Sequence, residues 1–159
     1  CREITSLRQA LVLLGRERVR QWASVWTLAG LNSPTEAQLL MTALLRARCC
    51  EEVGGHAHGR VSAGEYFLLG LCSLLDAVLR RPMADVLEGV PLPAIIRDAL
   101  LGTPNQPRLV LDTVTAYARG DWSGATALAR RAGIPFQTLS QAYADALRWT
   151  RAMSAVEET

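Results

Sequence analysis

Apolar residues return every three to four positions along most of this chain, the spacing of helices packed on one face. Ser6-Leu7-Arg8-Gln9 fits a capping box, Leu7, Ala10, Leu11 and Leu14 form the stripe behind it, and Gly15 supplies a left-handed stop. A second helix over 16–28 carries Val19, Trp22, Val25 and Trp26 on one side. Ser33, Pro34 and Glu36 are a strong start signal for a third, running to about Val53 with Leu39, Leu40, Ala43, Leu44 and Ala47 inward. The glycine-rich stretch Gly54-Gly55-His56-Ala57-His58-Gly59 reads as a loop, and Ser62-Ala63-Gly64-Glu65 as another capping box.

The run behind that box differs from the rest. From Tyr66 to Leu79 only Gly70, Ser73 and Asp76 break the apolar character. A helix apolar nearly all round must be covered on most sides, so one rod over 66–79 is expected through the middle of the molecule. Arg80-Arg81-Pro82 ends it. Short helices over 83–87 and 94–101 flank Pro91-Leu92-Pro93, and a helix over 109–118 stops near Gly120. Asp121 is placed to cap a helix from Trp122. The last helix starts at Pro135 and turns Leu139, Ala142, Tyr143, Ala146, Leu147 and Trp149 inward; 156–159 should fray. No stretch alternates as a strand does. The pattern predicts an all-α fold, an irregular bundle of about eight or nine helices in a single domain spanning 1–159.

Composition narrows the chemistry. All 17 basic residues are arginine, so a lysine Schiff base or P-loop lysine is excluded. A net charge of +2 gives no basic face of the kind that grips nucleic acid. The longest uncharged run, Gln21–Thr35, is too short and too polar for a membrane span. Cys1, Cys49, Cys50 and Cys72 lack Cys-x-x-Cys spacing and read as reduced thiols of a cytoplasmic protein.

His56 and His58 form the only histidine pair and are the candidate metal ligands, with Glu51 and Glu52 near in sequence. Gly54, Gly55 and Gly59 leave that loop without a fixed scaffold, so the expectation is a solvated polar loop, no metal and no cofactor. Glu51-Glu52 and Arg80-Arg81 read as helix-end charges. Ser73 has no Gly-x-Ser-x-Gly context, and no glycine-rich phosphate loop is present. Trp22 and Trp26, one turn apart with Arg18 close by, suit a protein interface, where Trp and Arg concentrate binding energy.

The segment Ile4-Thr5-Ser6-Leu7-Arg8-Gln9-Ala10-Leu11-Val12-Leu13-Leu14-Gly15 resembles the I-x-S-L-x-x-A-L-x-x-L-G stretch of the HDOD family, the HD-related output domains. Val19-Arg20-Gln21-Trp22 follows it as in that family. Phe67-Leu68-Leu69-Gly70-Leu71-Cys72-Ser73-Leu74-Leu75-Asp76, Pro82-Met83, Pro91-Leu92-Pro93 and Tyr117-Ala118-Arg119-Gly120-Asp121-Trp122 match in order. The set is similar to the branch in which an EAL domain, of cyclic-di-GMP phosphodiesterase type, precedes the HDOD domain. HD phosphohydrolases hold metal through an adjacent His-Asp pair on a helix like this one, and the resemblance puts Ser73 and Leu74 at those two positions. Neither side chain replaces an imidazole or a carboxylate as a ligand.

The resemblance therefore implies an HD-like fold without its metal chemistry. The chain begins almost at the Ile4 segment, so the family's N-terminal helices are expected to be missing, and any EAL domain would lie upstream. The function expected is a non-catalytic bacterial signalling module, passing the state of a linked domain to a protein partner or holding a homodimer, away from membranes and nucleic acid. Two alternatives stand beside it: a divergent metal-dependent phosphohydrolase using His56, His58 and carboxylates, and a nucleotide or nucleic-acid binder using arginine and tryptophan.

Overall fold

A computed structural model of the chain describes residues 34–57 and 59–156. Two compact units divide the chain, Cys1–Ala37 and Gln38–Thr159; of the first, only the opening turn of one helix is described. The helices expected over 7–14 and 16–28 lie outside the described residues, as do His58, Trp22, Trp26 and Arg18. Among the described residues the fold is all-α, with no strand. Its helices are α1 (Pro34–Gly54), α2 (Ala63–Cys72), α3 (Leu75–Leu79), α4 (Met83–Leu87), α5 (Ala94–Leu100), α6 (Gln106–Ala118), α7 (Trp122–Ala132) and α8 (Phe136–Val156). None of them is long and apolar enough to cross a membrane.

Local chemistry sets the helix starts. Ser62 Oγ accepts from the Glu65 amide at 3.3 Å while Glu65 Oε2 accepts from the Ser62 amide at 2.8 Å, a reciprocal box that opens α2. Asn105 Oδ1 accepts from the Arg108 amide at 2.9 Å to open α6, and Asp121 Oδ1 accepts from the Gly124 amide at 2.9 Å to open α7. Gly133, at φ +76°, closes α7 in the left-handed region.

Helix α2 is the centre of the core. Tyr66, Leu68, Leu69, Leu71 and Cys72 are all buried, as the all-round apolar run predicts. It meets α1 backbone to backbone: a Cβ on Gly70 would lie 2.5 Å from both Cα and N of Ala47. Gly54 gives way similarly to the Tyr66 ring, which a Cβ there would approach to 2.2 Å. Ala43, Ala47 and Cys50 of α1 are fully buried, while Leu39, Leu40 and Leu44, expected inward, are only half-buried. Helix α5 packs on α2 and α6. Helices α6 and α7 form a hairpin about Arg119, Gly120 and Asp121, and α7 gives the core only alanines: Ala125, Ala129 and Ala132.

The expectation of a single central rod is overturned. The rod predicted over 66–79 is two helices, interrupted at Ser73 and Leu74. The Ser73 hydroxyl donates to the Gly70 carbonyl at 2.7 Å, and the Ser73 amide turns to the same oxygen at 3.3 Å. A serine hydroxyl competing for the carbonyls of the preceding turn favours such a break. Leu74 leaves helical geometry at φ −124°, and Arg80, at φ +51°, ends α3.

Candidate functional site

The interruption between α2 and α3 is tied to α1. Arg46 Nη1 donates to Ser73 Oγ at 3.3 Å, so that hydroxyl accepts from Arg46 while donating to Gly70. Arg46 is half-buried, and its Nε is buried with no hydrogen-bond partner among the described residues. Burial lowers the Arg46 pKa from its usual value, and the charge of Arg119 works in the same direction; Cys50, Tyr143 and Asp76 oppose both. Leu74, the other position matched to the metal-binding pair, is a half-buried aliphatic residue that precedes α3.

His56 sits elsewhere, on the exposed turn after α1. It borders an open cleft of about 540 Å³ whose other walls include Glu52, Thr138, Gln141 and Asp145. Of the cleft's carboxylates Glu52 is already held by Arg48, whose Nη2 lies 2.8 Å from Glu52 Oε1 while its Nη1 lies 2.8 Å from Oε2 of the neighbouring Glu51. Gln141 donates to Asp145 Oδ2 at 3.1 Å, and Arg148 pairs with the other oxygen. Burial pushes the Glu52 carboxyl up from its ordinary range despite Arg48, with Asp145 and Glu51 adding repulsion. Glu51 and Glu52, expected as a solvated helix end, are instead the half-buried acceptors of one arginine. Among the described residues no group of three or more His, Cys, Asp or Glu is arranged to hold a metal ion.

A third feature has no counterpart in the sequence reading. Tyr117, at the end of α6, is the hub of a ring cluster drawn from α6, α7 and α8. Trp122 meets it edge-on at 4.9 Å and 79°, Tyr143 lies at 5.1 Å and Phe136 at 5.8 Å. Contacts of this geometry are worth about 0.5–1.5 kcal/mol each beyond area burial. The cluster reaches the surface, with Trp122 56% and Phe136 40% exposed. The helical pattern turns Tyr143 inward along α8, but which rings it meets depends on the neighbouring helices.

Comparison with known proteins adds a relationship at low identity. No family model matches the sequence, and no solved structure matches it. The chain is similar to a cyclic di-GMP phosphodiesterase. That protein, CdgJ of Vibrio cholerae, is 28% identical over 148 residues, which cover 93% of this chain and 34% of CdgJ. The uncharacterised protein YuxH of Bacillus subtilis is 25% identical over 150 residues, covering 92% of this chain and 36% of YuxH. The chain thus spans about a third of the length of the curated relatives it matches. Each alignment runs over more than nine-tenths of the chain, so the likeness is not confined to one short motif.

Proposed function

We propose that this chain is an HDOD-like, non-catalytic signalling module that conveys the state of a linked EAL-type domain through protein contacts. The ordered motifs from Ile4 to Trp122 and the similarity to a third of a cyclic di-GMP phosphodiesterase support a place in that signalling system. One observation carries the non-catalytic part. At the two positions matched to the metal-binding pair, Ser73 is committed on both sides, to Gly70 and to Arg46, and Leu74 offers a hydrocarbon. A cation beside that serine opposes the approach of a metal ion, and a half-buried hydrogen-bonded joint is a structural use of the position. Trp22, Trp26 and Arg18 are the residues proposed for partner contact, since Trp and Arg dominate interface hot spots.

The purified chain, supplied with manganese or magnesium, is expected to turn over neither cyclic di-GMP nor a simple phosphodiester and to retain no stoichiometric metal. Turnover lost in a His56→Ala/His58→Ala double variant would overturn the reading in favour of a hydrolase. Alanine at Trp22, Trp26 and Arg18 should loosen association by light scattering or with a purified linked domain. Unchanged association would remove those residues from the contact surface.

A further inference from the structure

Trp122 and Phe136 are large apolar side chains left exposed, and both rest against Tyr117, with ring centroids at 4.9 and 5.8 Å. Two exposed rings, one from α7 and one from α8, therefore belong to a single surface patch. Tyr143 backs it, 5.1 Å from Tyr117, and Phe136, Ser140 and Tyr143 share one face of α8 by their spacing. The chain around the patch is uncharged. From Trp122 to Ala129 and from Ala132 to Ala144 there is no Asp, Glu or Arg, although a fifth of all residues are charged. Helices that face water ordinarily carry charge on their outer side. Aromatic rings in a region cleared of charge have the composition of an interface core.

Charge returns at the turn between α6 and α7, where Arg119 and Asp121, both exposed, flank Gly120. Arg119 takes part in no ion pair among the described residues. Asp121 accepts from the Gly124 amide at 2.9 Å and the Ser123 hydroxyl at 3.3 Å, both through Oδ1, so Oδ2 is left for another donor. Arg130 and Arg131 lie further along α7, about 12 Å of helix from Trp122. We propose that the patch is a two-fold interface between copies of this chain, with Trp122 and Phe136 at its centre and Arg119 of one copy paired with Asp121 of the other. A two-fold contact brings the same surface against itself, which suits a rim bearing one charge of each sign and disfavours a rim of a single sign. An acidic or a basic partner would meet its own sign at one of these two residues. Two rings make a centre and fall well short of the roughly 800 Å² per partner of a standard interface, so the dimer is a reversible one.

Sedimentation equilibrium of the chain, loaded from about 5 to 300 μM, tests the proposal. The mass should rise with concentration from 17.3 kDa towards twice that value. Trp122→Ala should weaken the dimer by about tenfold or more, as the loss of a central tryptophan does. That variant also loses the contact with Tyr117; if its circular dichroism departs from the parent's, Arg119→Glu carries the test, because it has no ion pair to lose. Arg119→Glu sets like charges opposite each other and should also weaken the dimer by about tenfold. Asp121→Asn keeps the cap of α7 without the charge; it should weaken the dimer severalfold in the parent and add nothing to Arg119→Gln. Ile95→Ser, exposed on α5, which supplies none of the rings, should leave association unchanged. A monomer over the whole range, a dimer as tight with both Trp122→Ala and Arg119→Glu, or one weakened as much by Ile95→Ser would overturn the interface. The inference does not rest on the signalling role: a dimer lost on alanine at Trp22, Trp26 and Arg18 but not at Trp122 would overturn it and leave that reading standing.

Discussion

Gly70→Ala is a demanding test of the packing on which the rest of the structure depends. The added Cβ would sit 2.5 Å from both Cα and N of Ala47 and 2.6 Å from the Arg46 carbonyl carbon. Carbon atoms in contact prefer about 3.5–4.0 Å, so the shortfall is roughly an ångström. The atoms it meets are backbone, and no rotamer change relieves the clash; α1 and α2 must separate. Overpacking of this kind costs about 1–3 kcal/mol, and the backbone contact places it near the top of that range. Replacing a helical glycine by alanine returns about 1 kcal/mol of propensity. A net loss of about 2 kcal/mol remains, which in a chain of this size is ~4–8 °C in Tm. Gly64 supplies the control within the same helix, since a Cβ there meets nothing within 4 Å. Gly64→Ala should be neutral or stabilising by up to about 1 kcal/mol. Urea unfolding followed by circular dichroism measures both. A Gly70→Ala variant as stable as the parent would refute the backbone contact between α1 and α2, and with it the joint from Arg46 to Ser73.

Further outcomes follow from the same contacts. Ser73→Ala strands the Arg46 donor and should cost about 1–2 kcal/mol, while adding Arg46→Met should cost less than that change does in the parent, a coupling read by a double-mutant cycle. Asp121→Ala removes the α7 cap and should cost about 1 kcal/mol, with Asp121→Asn nearer neutral, by urea titration. Burial raises all three described thiols, with Cys50 pushed up to about 12 from 9.0 and Cys49 and Cys72 raised as well. The folded state therefore holds thiol protons that the unfolded state releases. This stability is complete below about pH 8.5 and is lost as pH rises towards the folded values, by up to about 1.4 kcal/mol per pH unit for each thiol. Urea midpoints that stay level up to pH 10, or native-state alkylation of Cys50 as fast as in urea, would contradict that burial.

The elements most legible in the sequence are those defined by neighbours three or four residues apart. Ser62 with Glu65 and Asp121 ahead of Trp122 act over a single turn, so residue type and spacing suffice to read them. The burial of α2 was equally plain, because a segment apolar on every side must be enclosed. That same uniformity concealed the break at Ser73 and Leu74. Without a polar face there is no period to interrupt, and one serine in an apolar run does not announce that its hydroxyl will take the Gly70 carbonyl. On α1 the pattern turned Leu39, Leu40, Ala43, Leu44 and Ala47 inward; Ala43 and Ala47 are buried as expected, the three leucines are only half-buried, and the close crossing at Gly70 is made by the backbone of Arg46 and Ala47.

By itself the sequence determined the all-helical fold of the described residues, most of their helix starts, which helix is enclosed, and the exclusion of lysine chemistry. The tertiary structure alone decided that Arg46 would reach Ser73 across 27 positions, that Arg48 would hold both Glu51 and Glu52, and that rings from three helices would gather around Tyr117. The physical reason is range. Caps and stripes are settled within one or two turns of backbone, but the partners of an arginine or an aromatic ring depend on how closely whole helices approach, and here small side chains such as Gly70 and Ala47 set that distance.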